Sequence, residues 1–200
     1  MSATAPVTHL LYLHGFRSSP ASFKARRLAD WVVSHRPDLH WHCPQLAPAP
    51  AQALADLERE LAAWPLAHTA VIGSSLGGFY ATVLAERLQL PAVLLNPAVD
   101  PARDLAAHLG EQQGFHDPAQ TFTFGLDDVA ALRAMTPGEL TQAPRHLAII
   151  AKGDEVLDWR EMHARYRDAK IKLLAASDHG LTDFDDHLGD VIAHLQLDPK

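Results

Sequence analysis

The chain has 200 residues, with 17 Lys and Arg against 24 Asp and Glu and a formal charge of −7. That length suits one domain able to bury a core without disulfides or metals, and the acidic balance, with no Lys/Arg run, argues against a nucleic-acid binder. Apolar residues at 48% and charged residues at 20% describe a globular chain, and the single cysteine, Cys43, excludes an intrachain disulfide framework or a multi-cysteine zinc site.

Leu10–Leu13 is a short apolar run closed by His14-Gly15, the signature of a buried strand. Ser19 as cap and Pro20 at the first helical position then predict a helix running to His35, just before Pro37. A strand over Leu39–Cys43 and a helix over Ala51–Ala63 follow. Thr69–Gly73 reads as a third strand leading into a helix over Leu76–Leu88, and Ala92–Leu95 as a fourth, closed by Asn96-Pro97. His146–Ala151 and Ile171–Ala175 are the fifth and sixth, with a helix over Asp158–Asp168 between them, and Phe184–Leu195 is a closing helix.

Strands that are apolar throughout belong to sheets covered on both faces. Six of them separated by helices give a single domain, a three-layer α/β/α sandwich with a mostly parallel sheet. Residues 101–143 break the rhythm and read as an irregular insert of the kind that covers a site. The N-terminus lacks the basic-then-apolar order of a secretory signal. The stretch from Leu61 to Ala85 carries no charged residue, but Pro65, His68, Ser74, Ser75 and three glycines interrupt it, so a membrane span is not expected. The expectation is a cytoplasmic, soluble protein, and nothing in the sequence specifies an oligomeric state.

The sharpest chemical signal is Gly73-Ser74-Ser75-Leu76-Gly77, a G-x-S-x-G between a predicted strand and a predicted helix. A nucleophile on so tight a turn occupies a strained backbone conformation, and Gly73 and Gly77 supply the room it needs. Ser75 would point outward beside a helix N-terminus, where the Leu76 amide and the helix dipole can stabilise an oxyanion. Ser74 is the rival hydroxyl, but it does not sit between the glycines. A Gly/Ser turn that merely joins two elements is the plain alternative.

A serine nucleophile in this setting needs an acid and then a histidine further along the chain. His146 starts a strand, His163 lies inside a helix, and His187 and His194, seven apart on the last helix, read as surface residues. His179, in the loop after the final strand, is the candidate base. Asp154, just past the fifth strand, is the favoured acid, with Asp158 as the alternative or a helix cap. Asp178 and Asp183 flank His179 too closely for the needed geometry.

The Phe16 amide after the first strand is the candidate second oxyanion donor, and His14 is best read as a strand-end histidine bonded to backbone. Arg17 is a candidate contact for an anionic carrier or a substrate carboxylate, with Lys24, Arg26 and Arg27 nearby, or else a surface arginine. Phe115, Phe122 and Phe124 would line an acyl pocket or pin the insert to the core. His40 and His42 share a strand face, but no third ligand has a metal-site spacing, so no metal is expected.

The stretches LYLHGFRSSPASFKA, VIGSSLGGFYATVLAE, AVLLNPAV, GDEVLD and SDHGLTDFDDHL span about residues 10–190 in order. Together they resemble the α/β-hydrolase superfamily and, within it, the small bacterial YqiA-type esterases, the UPF0227 family. The resemblance implies a compact hydrolase core lacking the first two strands of larger members. It also implies hydrolysis of carboxylic esters or acyl thioesters, with Ser75, Asp154 and His179 matching the triad; a small-molecule substrate and no cofactor are expected. SDHGLTDF departs from the family pattern, which has Gly before the Asp-His pair and Phe at the position of Leu181. A hydrolase-fold module that binds a ligand or partner without catalysis is the alternative from another class.

Overall fold

A computed structural model describes residues 5–198. In chain order it contains β1 (His9–Leu13), α1 (Phe23–His35), β2 (His40–His42), α2 (Pro50–Leu61), β3 (Thr69–Ser74), α3 (Leu76–Leu88) and β4 (Ala92–Leu95). After these come α4 (Pro101–Asp104), β5 (Gly110–Gln113), β6 (Thr121–Phe124), α5 (Leu126–Met135), β7 (His146–Ala151), α6 (Trp159–Arg165), β8 (Lys170–Leu174) and α7 (Leu188–Leu195). Six strands form one sheet in the order β2-β1-β3-β4-β7-β8, every neighbouring pair parallel. This is the expected α/β architecture.

The apolar strands alternate between two cores. Leu10 and Tyr12 of β1 pack with Ala25, Leu28 and Val32 of α1 and with Val191 and Leu195 of α7. Leu11 and Leu13 face the other way, onto Leu54 and Leu57 of α2 and Phe79, Val83 and Leu84 of α3. A side-chain period of two on a doubly covered strand thus turns one apolar run into two half-cores.

β1 has β2 on one side and β3 on the other, so successive connections leave it in opposite directions. Such a switch point opens a crevice at the carboxyl ends of the strands. His14–Arg17 leave β1 into that crevice and Ser75 leaves β3 into it.

Three expectations need correction. Helix α1 starts at Phe23, not Pro20, because Ser22 holds an extended backbone (φ −60°, ψ 149°) and its carbonyl takes the first helical bond, from the Arg26 amide. Ser19 closes the preceding turn instead, its Oγ accepting from the Ala21 amide at 3.1 Å. Residues 101–143 are not irregular. They contain α4, the antiparallel β5–β6 hairpin and α5, whose Val129, Leu132 and Met135 enter the α2/α3 core. A parallel crossover from β4 to β7 needs a covering helix, and α5 fills that role. Finally, residues 184–186 form a 3-10 turn ahead of α7, and His187 is buried rather than exposed. Its ring lies between Lys172 Nζ at 3.0 Å and Asp183 Oδ2 at 3.3 Å.

His146, at the head of β7, is fully buried, and neither ring nitrogen has a hydrogen-bond partner. Burial lowers its pKa from 6.5 to about 4. The unfolded chain therefore binds this proton first, so stability is intact above pH 6.5 and is lost as the pH falls from 6.5 towards about 4. Thermal unfolding midpoints across that range should fall less steeply for His146→Leu than for the wild type. Parallel curves would show that His146 does not contribute to acid sensitivity.

Candidate active site

The turn after β3 is built around one strained residue. Ser75 has φ 56° and ψ −121°, outside the helical and extended regions open to most side chains. Its carbonyl anchors the turn by accepting from the amides of Gly78 (2.9 Å), Phe79 (3.2 Å) and Ala98 (3.0 Å). The flanking glycines are sterically required. A Cβ on Gly77 would lie 2.0 Å from the Leu13 carbonyl oxygen, and one on Gly73 would lie 2.1 Å from that of Gly77. Strand β1, the turn and α3 can approach only where side chains are missing. Ser74 ends β3, buried in the sheet.

Ser75 Oγ lies 3.1 Å from His179 Nε2, and His179 Nδ1 lies 2.8 Å from Asp154 Oδ2. A carboxylate only accepts, so Nδ1 carries the ring hydrogen and Nε2 accepts from the serine hydroxyl. The Asp154 side chain is fully buried. Its other oxygen accepts from the Val156 and Leu157 amides, each at 2.8 Å, which offsets the cost of holding a charge away from water. Asp158, the alternative acid, caps α6 instead, accepting from the Arg160 amide at 2.9 Å. Asp178 binds Thr182 and Asp183 binds Ser177, so both are engaged within their own loop.

Leu76 follows the serine at the start of α3, and Gly15, which precedes Phe16, lies against it: a Cβ there would lie 3.3 Å from Ser75 Cβ. Neither the Phe16 nor the Leu76 amide has an acceptor among the described residues. His14 is buried and bonded to backbone, with Nδ1 3.0 Å from the Gly15 carbonyl and Nε2 accepting from the Leu46 amide at 3.1 Å. Desolvation keeps that ring neutral by lowering its pKa.

Two contributors escaped the reading of the sequence. Asn96 is fully buried, with φ 41°, and ties the site together. Its Nδ2 donates to the carbonyls of Asp178 (3.0 Å) and His179 (3.2 Å), while its Oδ1 accepts from the Ala151 amide (2.8 Å). Glu155 Oε2 accepts from the His179 amide at 3.0 Å. The available signal was Asn-Pro at a strand end, which announces a turn but not its partners. At the departure noted in SDHGLTDF, Leu181 is fully buried with Phe184 in the α1/α7 core, and the Ser177 carbonyl packs where Gly153 has no side chain.

The basic residues near the site part company. Arg27 pairs with Asp185 at 2.6 Å, and Lys24 Nζ donates to the Gly180 carbonyl. Burial brings Lys24 down to about 8, against the pull of Asp178 and Asp154. Arg17 instead faces the insert, its Nε donating to the Gln113 carbonyl at 2.6 Å. Phe16 meets Phe122 and Phe124 edge-on at 5.8 and 5.4 Å, so these rings hold the hairpin against the site. Phe115 is 64% exposed and lies under Arg17, 4.4 Å from guanidinium carbon to ring centroid.

His40 and His42 stack at 6.5 Å beside Trp64, and among the described residues no group of His, Cys, Asp or Glu is placed to hold a metal ion. Nor is any described helix long and apolar enough to cross a membrane.

Replacing Asn96 by Ala would leave the Ala151 amide and the His179 carbonyl without this partner, at a cost of about 1–3 kcal/mol per unsatisfied group, while the Asp178 carbonyl keeps the Leu181 amide at 3.1 Å. Thermal unfolding should show that loss for Asn96→Ala, and the Ala151 amide should exchange with deuterium faster. An unchanged exchange rate would mean that water replaces the amide side chain at no cost.

Solved structures with the α/β-hydrolase architecture superpose on this chain along most of its length. Alpha/beta hydrolase domain-containing protein 10 from mouse is 14% identical, with 94% of this chain and 90% of that one covered at a TM-score of 0.69. Est1E from Butyrivibrio proteoclasticus, seen with ferulic acid bound, is 12% identical, with 96% and 89% covered at 0.66. An esterase of Pyrococcus furiosus is 13% identical, with 98% and 84% covered at 0.65. At these identities the likeness establishes the α/β-hydrolase fold. Residues 9–196 match the model of the uncharacterised protein family UPF0227, and the chain belongs to that family.

Proposed function

We propose that this protein is a serine hydrolase that cleaves small carboxylic esters or acyl thioesters through an acyl-enzyme intermediate. One observation carries the reading: a buried carboxylate, an imidazole and a hydroxyl in line at 2.8 and 3.1 Å, with the hydroxyl on a strained strand-to-helix turn. Both ring nitrogens are engaged in line, and the nearby Phe16 and Leu76 amides are left without an acceptor among the described residues.

His179 Nε2 takes the hydroxyl proton as Ser75 Oγ attacks the acyl carbon, and Asp154 stabilises the imidazolium through Nδ1. The Phe16 and Leu76 amides donate to the carbonyl oxygen as it becomes an oxyanion, with Leu76 opening α3 and adding the dipole of that helix. The imidazolium returns the proton to the departing alcohol or thiol as the acyl C–O or C–S bond breaks. Water, deprotonated by His179, then releases the acid and restores Ser75. The chain works as one unit, with residues 101–143 walling the acyl side. The partner is a small molecule rather than a nucleic acid, and no cofactor is called for.

A fluorophosphonate probe should add once to the wild-type protein by intact mass and not at all to Ser75→Ala or His179→Ala. No adduct on folded wild type would favour a ligand-binding module in which G-x-S-x-G is only a turn. With a turned-over ester, Ser75→Ala should lower kcat by about 10⁴–10⁶-fold. Asp154→Asn should cost about 10⁴-fold by favouring the wrong imidazole tautomer.

A further inference from the structure

Beside the Phe16 and Leu76 amides lies a cavity of about 380 Å³, walled also by Gln45, Tyr80, Thr121 and Phe122 and containing Arg17. That volume suits an acyl group of several carbons. In a chain with 24 Asp and Glu, none of these acids lines it. Arg17 makes no ion pair among the described residues, whereas Arg27, Arg36, Arg87 and Arg103 each sit within 2.5–2.7 Å of a carboxylate. His14, also in the wall, is occupied by backbone at both nitrogens and adds no charge.

The guanidinium is held without being neutralised. Its Nε is fixed by the Gln113 carbonyl, and its plane lies over Phe115. The Arg17 backbone is also pinned, at φ 59° with its carbonyl accepting from the Phe115 amide at 2.7 Å. The terminal nitrogens keep their donors, and a planar fork of N–H groups matches a carboxylate in two-point contact. Much of the rotamer entropy that such a contact would cost is already spent in the folded protein.

We infer that this cavity is an anion subsite, in which Arg17 binds a terminal carboxylate on the acyl group, so that the preferred substrates are monoesters or monothioesters of dicarboxylic acids. The acyl side is assigned because the cavity shares its Phe16 and Leu76 walls with the position of the carbonyl oxygen, and in that respect the inference rests on the serine-hydrolase reading.

The test compares mono-4-nitrophenyl esters of dicarboxylic acids with five to eight carbons against neutral 4-nitrophenyl esters of the same chain lengths. The wild type should favour the charged ester at one length or more by about ten- to a hundredfold in kcat/KM, the range expected of a charge-assisted hydrogen bond. Arg17→Gln should bring that ratio to about one, and Arg17→Lys should keep part of it. A wild-type ratio near one, or an Arg17→Gln variant that slows both esters alike, would overturn the subsite and leave Arg17 as a strap for the hairpin. Calorimetric titration with adipate gives a readout independent of turnover. Binding that Arg17→Gln weakens about tenfold is expected, and equal binding to both proteins, or none, overturns the inference. Hydrolysis lost with adipate binding kept would defeat the hydrolase reading alone, and hydrolysis kept without charge preference would defeat the subsite alone.

Discussion

The backbone of Ser75 is the constraint around which this molecule is arranged. A non-glycine residue at φ 56° is unfavourable by itself and persists only where its surroundings hold it. Here its carbonyl serves three amides, and its neighbours pack so closely that Cβ atoms on Gly73 and Gly77 would overlap backbone. The tight junction brings the end of β1 against the start of α3, and Gly15 packs beside Ser75 as a result. Of the six described non-glycine residues with positive φ, Arg17, Ser75, Asn96 and Leu181 lie in loops at this end of the sheet, while Gln89 and Gln196 follow helices α3 and α7. Strain is concentrated where the chemistry would occur.

A parallel sheet delivers its strand ends to one edge, but its loops still have to be tied to each other. Asn96 joins the Ala151 amide, at the end of β7, to the carbonyls on both sides of the Asp178–His179 bond. The loop carrying Asp154 and the loop carrying His179 are thereby referenced to one buried side chain. Asp154 is fixed in parallel by two amides of its own loop, so its charge is compensated before His179 contributes. The His179–Asp154 contact can then act on tautomer and ring orientation instead of on holding the fold.

The segment between β4 and β7 combines two roles in one stretch of chain. Its helix α5 completes the crossover and seals the core, while the β5–β6 hairpin reaches the mouth of the site. The hairpin is attached by aromatic contacts to Phe16 and by backbone and side-chain bonds to Arg17, the two residues that follow Gly15 at the end of β1. The cavity wall and the loop after β1 therefore share a mechanical link.

Hydrophobic periodicity and turn chemistry are local properties, and they were enough to read the six parallel strands of the sheet, the turn at Ser75 and the helices other than those of residues 101–143. Chain order together with position past a strand end made His179 and Asp154 the candidates, and folding brings them within 2.8 Å because a parallel sheet sends every strand's carboxyl end to the same edge. What stayed open was whatever depends on contacts between segments distant in sequence. Asp154 and Asp158 both follow β7, and only folding assigns one to His179 and the other to the α6 cap. The partners of Asn96 lie 55 to 83 residues away, so an Asn-Pro pair could signal only a turn. His187 looked exposed from helical spacing, yet Lys172 and Asp183 enclose it. Arg17 shows the same division. Its charge was legible in the sequence, but the absence of a carboxylate around it is a property of the cavity, which exists only when β1, β3 and the hairpin are brought together.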